Sequence, residues 1–217
     1  MAALEREVRP LVNRWRRNEK EHAERRFRFF ENDAAVLVCG GMGAEPARRA
    51  AEAVIALYAP SVVYSVGYAG ALDPQLKVGN LLRPARVINA ADGSSVQIAG
   101  GKGVLVSYGL VASAPQKAKV REAFGAEAVD MEAAAVARAA EARGIGFAAL
   151  KVISDEFNFE FPAMERFVDS EGRFLETRFA AFAALRPWLW PRVIRLARDS
   201  RHATRALCHE LENVGRR

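Results

Sequence analysis

Residues 34–58, AAVLVCGGMGAEPARRAAEAVIALY, read as a buried strand, a glycine-rich turn and an alanine-rich helix, which together make the first half of a β-α-β unit. Downstream, SVVYSVGYAGAL (61–72) supplies the next strand, and LLRPARVINA (81–90) and GVLVSY (103–108) two more. A helix is expected near Gln116 to Phe124, DMEAAAVARAAEARG (130–144) forms another closed by Gly144, and FAALKVISDE (147–156) makes a final buried strand. Upstream, Leu4, Val8, Leu11, Val12 and Trp15 recur at helical spacing, with Pro10 tolerated near the helix start and Glu7 at its entrance. The basic stretch RWRRNEKEHAERR (14–26) reads as a solvated face plus a connection. FRFFEND (27–33) and AAVLVCGG (34–41) then read as two strands joined at Asn32-Asp33. The alternation predicts an α/β fold: one domain over 1–217, a mostly parallel sheet covered by helices, and a ligand beyond the carboxyl ends of the strands.

Composition narrows the function classes. The 217 residues are 51% hydrophobic, enough to bury one substantial core. No apolar run approaches the roughly 20 residues that cross a bilayer, and the N-terminus is too charged for a secretory signal, so a cytoplasmic location is expected. Cys39 and Cys208 stand far apart with no CxxC or Cys/His cluster, which suggests neither a disulfide framework nor a metal site. The net charge of +6 invites a nucleic-acid reading, but the excess lies at the ends. Basic and acidic residues number 9 and 7 through Asp33, 12 and 12 from Ala34 to Glu160, and 11 and 7 thereafter. A nucleic-acid binder would carry a basic stripe across its main fold, so no nucleic-acid partner is expected and an RNA role ranks last.

The unusual residues fall at the predicted strand ends: Gly40-Gly41-Met42-Gly43, Gly67-Tyr68-Ala69-Gly70, Asp130-Met131-Glu132 and Ser154-Asp155. Neither glycine turn carries a GxGxxG fingerprint or the Lys-Ser/Thr ending of a P-loop, so no dinucleotide or nucleoside triphosphate is implied. Asp130 and Glu132 stand directly before an apolar helix. Asp130 suits helix capping, whereas the two oxygens of Glu132 suit a pair of sugar hydroxyls. Asp155 ends an apolar strand, where it either caps the strand end or faces a crevice. Glu7 alone is an ordinary helix-entrance carboxylate.

The order Glu7, GGMG, GYAGAL followed by LKVGNLL, VDMEAAAVA and VISDE resembles the methylthioadenosine/S-adenosylhomocysteine nucleosidases and their nucleoside phosphorylase relatives, over roughly residues 3–156. The resemblance implies a three-layer phosphorylase-like domain, a homodimer or higher homo-oligomer, a purine nucleoside substrate and no cofactor, with phosphate as co-substrate only in a phosphorylase. It maps ribose binding onto Met131 and Glu132, and the acid that serves purine N7 onto Asp155 with Ser154 beside it. Glu7 matches the glutamate that orients and deprotonates the attacking water. Asp130, Gly67, Tyr68, Gly40 and Gly41 fall in the implied substrate-binding set. The implied reaction is cleavage of the N-glycosidic bond of an adenine-type nucleoside, such as methylthioadenosine or S-adenosylhomocysteine, which would place the protein in methionine salvage.

Water is the expected acceptor because Glu7 is present. Phosphorolysis would need several backbone N–H groups and an arginine or two, and Arg48 and Arg49 are expected to point away. A catalytically weak nucleoside-binding module is the alternative of another class. Two departures from the family's pattern stand out. The chain begins almost at the glutamate helix, where relatives first have a strand, and the segment Ser107 to Ser113 offers only Tyr108 as a stacking aromatic. The tail, 186–214, reads as a basic amphipathic helical extension. Leu189, Val193, Leu196, Leu207, Leu211 and Val214 share one stripe, and Arg192, Arg195, Arg198, Arg201 and Arg205 lie on the other faces. Such a stripe packs on the domain or on a second subunit. Trp188, Trp190 and the arginines also suit a peripheral membrane contact, and a similar tail resembles the hopanoid-associated branch of the superfamily, which acts on an adenosylated membrane lipid.

Overall fold

The computed structural model describes residues 1–161, 164–169 and 171–214. The elements run α1 (Glu5–Val12), β1 (Arg16–His22), β2 (Arg25–Glu31), β3 (Val36–Val38), α2 (Ala44–Tyr58) and β4 (Val62–Ala71). Then come β5 (Leu81–Leu82), β6 (Arg86–Asn89), β7 (Ser95–Gln97), β8 (Val104–Ser107), α3 (Ala114–Phe124) and β9 (Ala128–Asp130). The last are α4 (Ala133–Glu141), β10 (Gly146–Asp155), α5 (Glu176–Ala184) and α6 (Trp190–Val214).

Seven strands form one sheet in the order β5-β10-β4-β9-β8-β6-β7, and β1-β2-β3 form a second. Residues 1–3 join the two. Ala2 forms a parallel bridge to Cys39, Ala2 N donates to Val38 O at 3.0 Å, and Val66 N donates to Met1 O at 2.9 Å. These residues thus lie between β3 and the first half of β4. The last residues of β4 take β9 as neighbour instead.

The sheet is mixed rather than mostly parallel. The pairs β4/β10, β6/β8 and β8/β9 are parallel, while β4/β9, β5/β10, β6/β7, β1/β2 and β2/β3 are antiparallel. Short connections account for much of this, since two adjacent strands joined by a tight turn must run antiparallel. The charged stretch 14–26 supplies most of such a hairpin, β1 against β2, where a connection was expected. Its turn is made by Ala23 and Glu24 at φ +48° and +61°, without the glycine or asparagine that announces a two-residue hairpin. Its first strand, RRNEKEH, has no apolar alternation to read.

Helix α2 buries Ala47, Ala50, Ala51 and Ala53, and α4 buries Ala133, Ala134, Ala137 and Ala140, so the two alanine faces pack closely against each other and the sheet. On the opposite side α6 packs on α1 and β10. Its second half buries Ala203, Leu207 and Cys208, against a cluster that includes Val8, Val12 and Val152. The stripe expected for the tail therefore covers the domain, and its five arginines are exposed.

Candidate active site

Strand β10 ends in an irregularity that prepares the site. Ile153 pairs with Ala69 and Asp155 with Gly70, so Ser154 is an extra residue that shifts the register. Bulges of this kind re-aim side chains beside active sites. Here the Asp155 carboxylate faces a cavity of about 460 Å³, within the range of small-molecule sites.

Glu7, Tyr68, Asp130, Met131, Glu132, Ser154 and Asp155 all line that cavity, so the structure brings together seven of the ten residues marked in the sequence. Gly67 sits just behind: a Cβ there would overlap the Glu7 carboxylate, and its φ of +142° disfavours any side chain. Gly40 and Gly41 stand outside the wall. Gly40 N donates to Ala2 O at 3.0 Å and Gly41 N to Ala3 O at 2.9 Å, so their backbones hold residues 1–3 in the sheet. The rest of the GGMG turn is also engaged, with Met42 N on Gly172 O and Gly43 N on Glu132 Oε1, both at 2.8 Å.

The carboxylates differ in environment. Glu7 is 3% exposed, its Oε2 has no hydrogen-bond partner among the described residues, and burial together with the nearby Glu132 charge pushes its pKa up to about 8. Glu132, also buried, accepts from Gly43 N. Burial and Asp130 raise it to about 7. Asp130 is fully engaged by the protein: it accepts from Ser107 Oγ at 2.6 Å, from Ala133 N at 2.8 Å and from Lys151 Nζ at 2.8 Å. It caps α4 and anchors the buried Lys151. Burial alone would discharge that ammonium, but the carboxylates of Asp130, Glu132 and Glu7 outweigh burial and raise its pKa. Three buried carboxyl groups thus surround one lysine; once Glu132 and Glu7 ionise, near pH 7 and 8, their negative charge suits a cationic ribosyl group.

Several wall residues lay outside the sequence reading. Lys117, in the first turn of α3, bonds Asp155 Oδ2 at 2.5 Å. Arg6 lies 4.5 Å over the Phe174 ring, and both line the cavity. Leu110, Val111 and Ala112 line it in place of Tyr108, while Phe174, Phe179, Val193 and Leu196 close it from the C-terminal third. The Tyr68 hydroxyl bonds Thr204 Oγ1 at 2.6 Å and Ser200 O at 3.1 Å, fixing α6 over the site. A lysine within the apolar run FAALKVISDE was a readable signal, because a buried lysine requires a partner. Lys117 offered none, since it stands in a helix with little amphipathic pattern.

The sequence matches the phosphorylase superfamily over residues 1–103 and 102–185. Among characterised relatives, the aminodeoxyfutalosine nucleosidase of Campylobacter jejuni is 24% identical over 202 aligned positions, covering 74% of this chain and 88% of the relative. Among solved structures, the 5′-methylthioadenosine/S-adenosylhomocysteine nucleosidase of Campylobacter jejuni superposes with a TM-score of 0.66 at 17% identity, over 98% of this chain and 96% of that one. The Colwellia psychrerythraea nucleosidase of the same name, solved with adenine, gives 0.61 at 23% identity, over 71% and 80%.

Proposed function

This chain belongs to the phosphorylase superfamily, and from that footing we propose that it cleaves the bond between a purine base and a ribosyl group with water as acceptor. The observation that carries the choice of water is the engagement of the GGMG turn: all four of its backbone N–H groups already have partners, so the turn holds no open cradle for phosphate. Arg48 and Arg49 are bound to Glu45 and, for Arg48, Glu52, on the outside of α2. Glu7, by contrast, lines the cavity and has a carboxyl oxygen without a hydrogen-bond partner among the described residues, which supports a role in orienting a water.

In this reading Glu132 and Met131 hold the ribose, Glu7 takes the proton of the attacking water, and Asp155 serves N7 of the departing purine. Purine leaves poorly until protonated, and the breaking C1′–N9 bond leaves positive charge on the ribosyl ring, which Glu132 and its neighbours stabilise. The two solved structures named above are nucleosidases of 5′-methylthioadenosine, which carries a 5′ substituent. The apolar wall of Phe179, Val193 and Leu196 supports such a substituent here, of the methylthioadenosine type. Products formed from methylthioadenosine with and without inorganic phosphate test the acceptor. Free methylthioribose at a phosphate-independent rate is expected, and a ribosyl 1-phosphate that forms only when phosphate is added overturns it.

A second reading concerns where the enzyme works. Leu185, Trp188, Trp190 and Ile194 are 76%, 71%, 52% and 67% exposed, beside Arg186, Arg192 and Arg195. Aromatic and aliphatic side chains among arginines support a peripheral contact with an anionic lipid surface.

A further inference from the structure

Asp155 is asked to deliver a proton, yet both of its oxygens accept hydrogen bonds: Oδ2 from Lys117 Nζ at 2.5 Å and Oδ1 from Ser154 Oγ at 2.8 Å. The first contact pairs a lysine with a carboxylate, so the two groups share a short path for a proton. Lys117 is 1% exposed, donates also to Glu156 O at 2.8 Å, and reaches the cavity wall. The Ser113/Gln116 capping box fixes the start of α3 and so places Lys117 in its first turn. Gly70 leaves the space, since a Cβ there would stand 3.0 Å from Asp155 Oδ2 and 3.2 Å from Lys117 Cε.

We propose that Lys117 is the proton store behind Asp155, the positioning residue through which the leaving purine receives its proton. This rests on the nucleoside-cleaving reading above. As the C1′–N9 bond breaks, its electron pair stays with the purine. A proton passes from the Lys117 ammonium to the Asp155 carboxylate and on to N7. Lys117 ends as a neutral amine and Asp155 as the carboxylate it was. Water adds its hydroxide to C1′ and its proton to the ionised Glu7; exchange with solvent then removes that proton from Glu7 and returns one to Lys117. A purine leaves poorly as the anion, so a proton donor behind Asp155 assists the bond cleavage.

A purely structural lysine would tie α3 to the end of β10, and arginine would replace it. Arginine keeps the charge and the hydrogen bonds but cannot give up its proton. Steady-state kinetics of adenine release therefore separate the two. Lys117→Met and Lys117→Arg should each lower kcat by about 10²-fold or more, the usual scale of acid–base assistance, with KM changed less than about threefold. An Arg variant within about threefold of wild-type kcat overturns the proton store. Affinities for adenine and 7-deazaadenine, which lacks the N7 acceptor, need no turnover. The folded wild type should bind adenine at least about tenfold tighter, a difference lost in Lys117→Met; equal affinities in the wild type overturn the proposal even if the variants fail to fold. A wild type that binds adenine in this way but cleaves no nucleoside refutes the proposed reaction and leaves the pairing with N7 standing.

Discussion

Glu7 concentrates the chemistry of the site in one residue. Its identity was plain in the sequence, but a glutamate near a helix start is anonymous until packing shows its surroundings. Those surroundings come from elements far apart in the chain: Gly67 beneath the carboxylate, Glu132 beside it and Lys151 behind. Burial raises the Glu7 pKa from 4.5 to about 8, which has a signed consequence for stability. Below about pH 4.5 the folded and unfolded chains both hold this proton. As pH rises toward 8 the unfolded chain releases it while the folded one retains it, so stability falls. The loss is on the order of a few kcal/mol, because each tenfold difference in proton affinity between the two states is worth about 1.4 kcal/mol. Glu7→Gln should therefore melt higher than the wild type at about pH 8.5 and at a similar temperature near pH 4.5. Both proteins keep the decline due to Glu132 and the opposing rise due to the buried Met1 amine, whose pKa is lowered from 8.0 to about 5, so the difference between their profiles reports Glu7. Turnover in that variant should fall by about 10²-fold or more, the usual loss when a positioned base is removed. Parallel melting curves for the two proteins across this range would refute the raised pKa of Glu7.

At the scale of elements, legibility followed apolar pattern. Strands β3, β4, β8 and β10 and helices α2 and α4 were readable because their buried faces are continuous runs or helical stripes of small and branched residues. The β1/β2 hairpin was not, because charged residues fill its first strand and its turn adopts positive φ without glycine. The two faces of α6 were readable, but the part of it that turns toward the cavity was not. That depends on the Tyr68 hydroxyl reaching Ser200 and Thr204 across the fold. The first turns of α6 place Val193 and Leu196 in the cavity wall while Trp190 and Ile194 remain exposed. Sedimentation with vesicles at low salt should accordingly retain the protein on phosphatidylglycerol and not on phosphatidylcholine, and Trp188→Ala/Trp190→Ala should release it. Equal recovery in the supernatant with both lipids would dispose of the membrane contact.

Across the whole molecule, the cavity is assembled from the first helix, the carboxyl ends of β4, β9 and β10, and the C-terminal third. The motifs GYAGAL, VDMEAAAVA and VISDE marked its floor, since they combine glycine turns with carboxylates at strand ends. The wall above them came from Phe174, Phe179 and α6, whose membership in the site depends on chain folding rather than on local pattern. Gly40 and Gly41, marked with the substrate-binding set in the sequence, stand outside the cavity wall for a related reason. Residues 1–3 lie alongside and take their N–H groups, a pairing that no local sequence signal announces. The central claim is cleavage of a ribosyl–purine bond by the Glu7, Glu132 and Asp155 set. The most direct test is chromatographic assay of free base from methylthioadenosine, S-adenosylhomocysteine, adenosine and inosine, with Asp155→Asn alongside. Adenine should be released from at least one adenine nucleoside by the wild type, and at least about 10²-fold more slowly by the variant. Absence of base from all four substrates, or equal rates in the two proteins, would contradict the account.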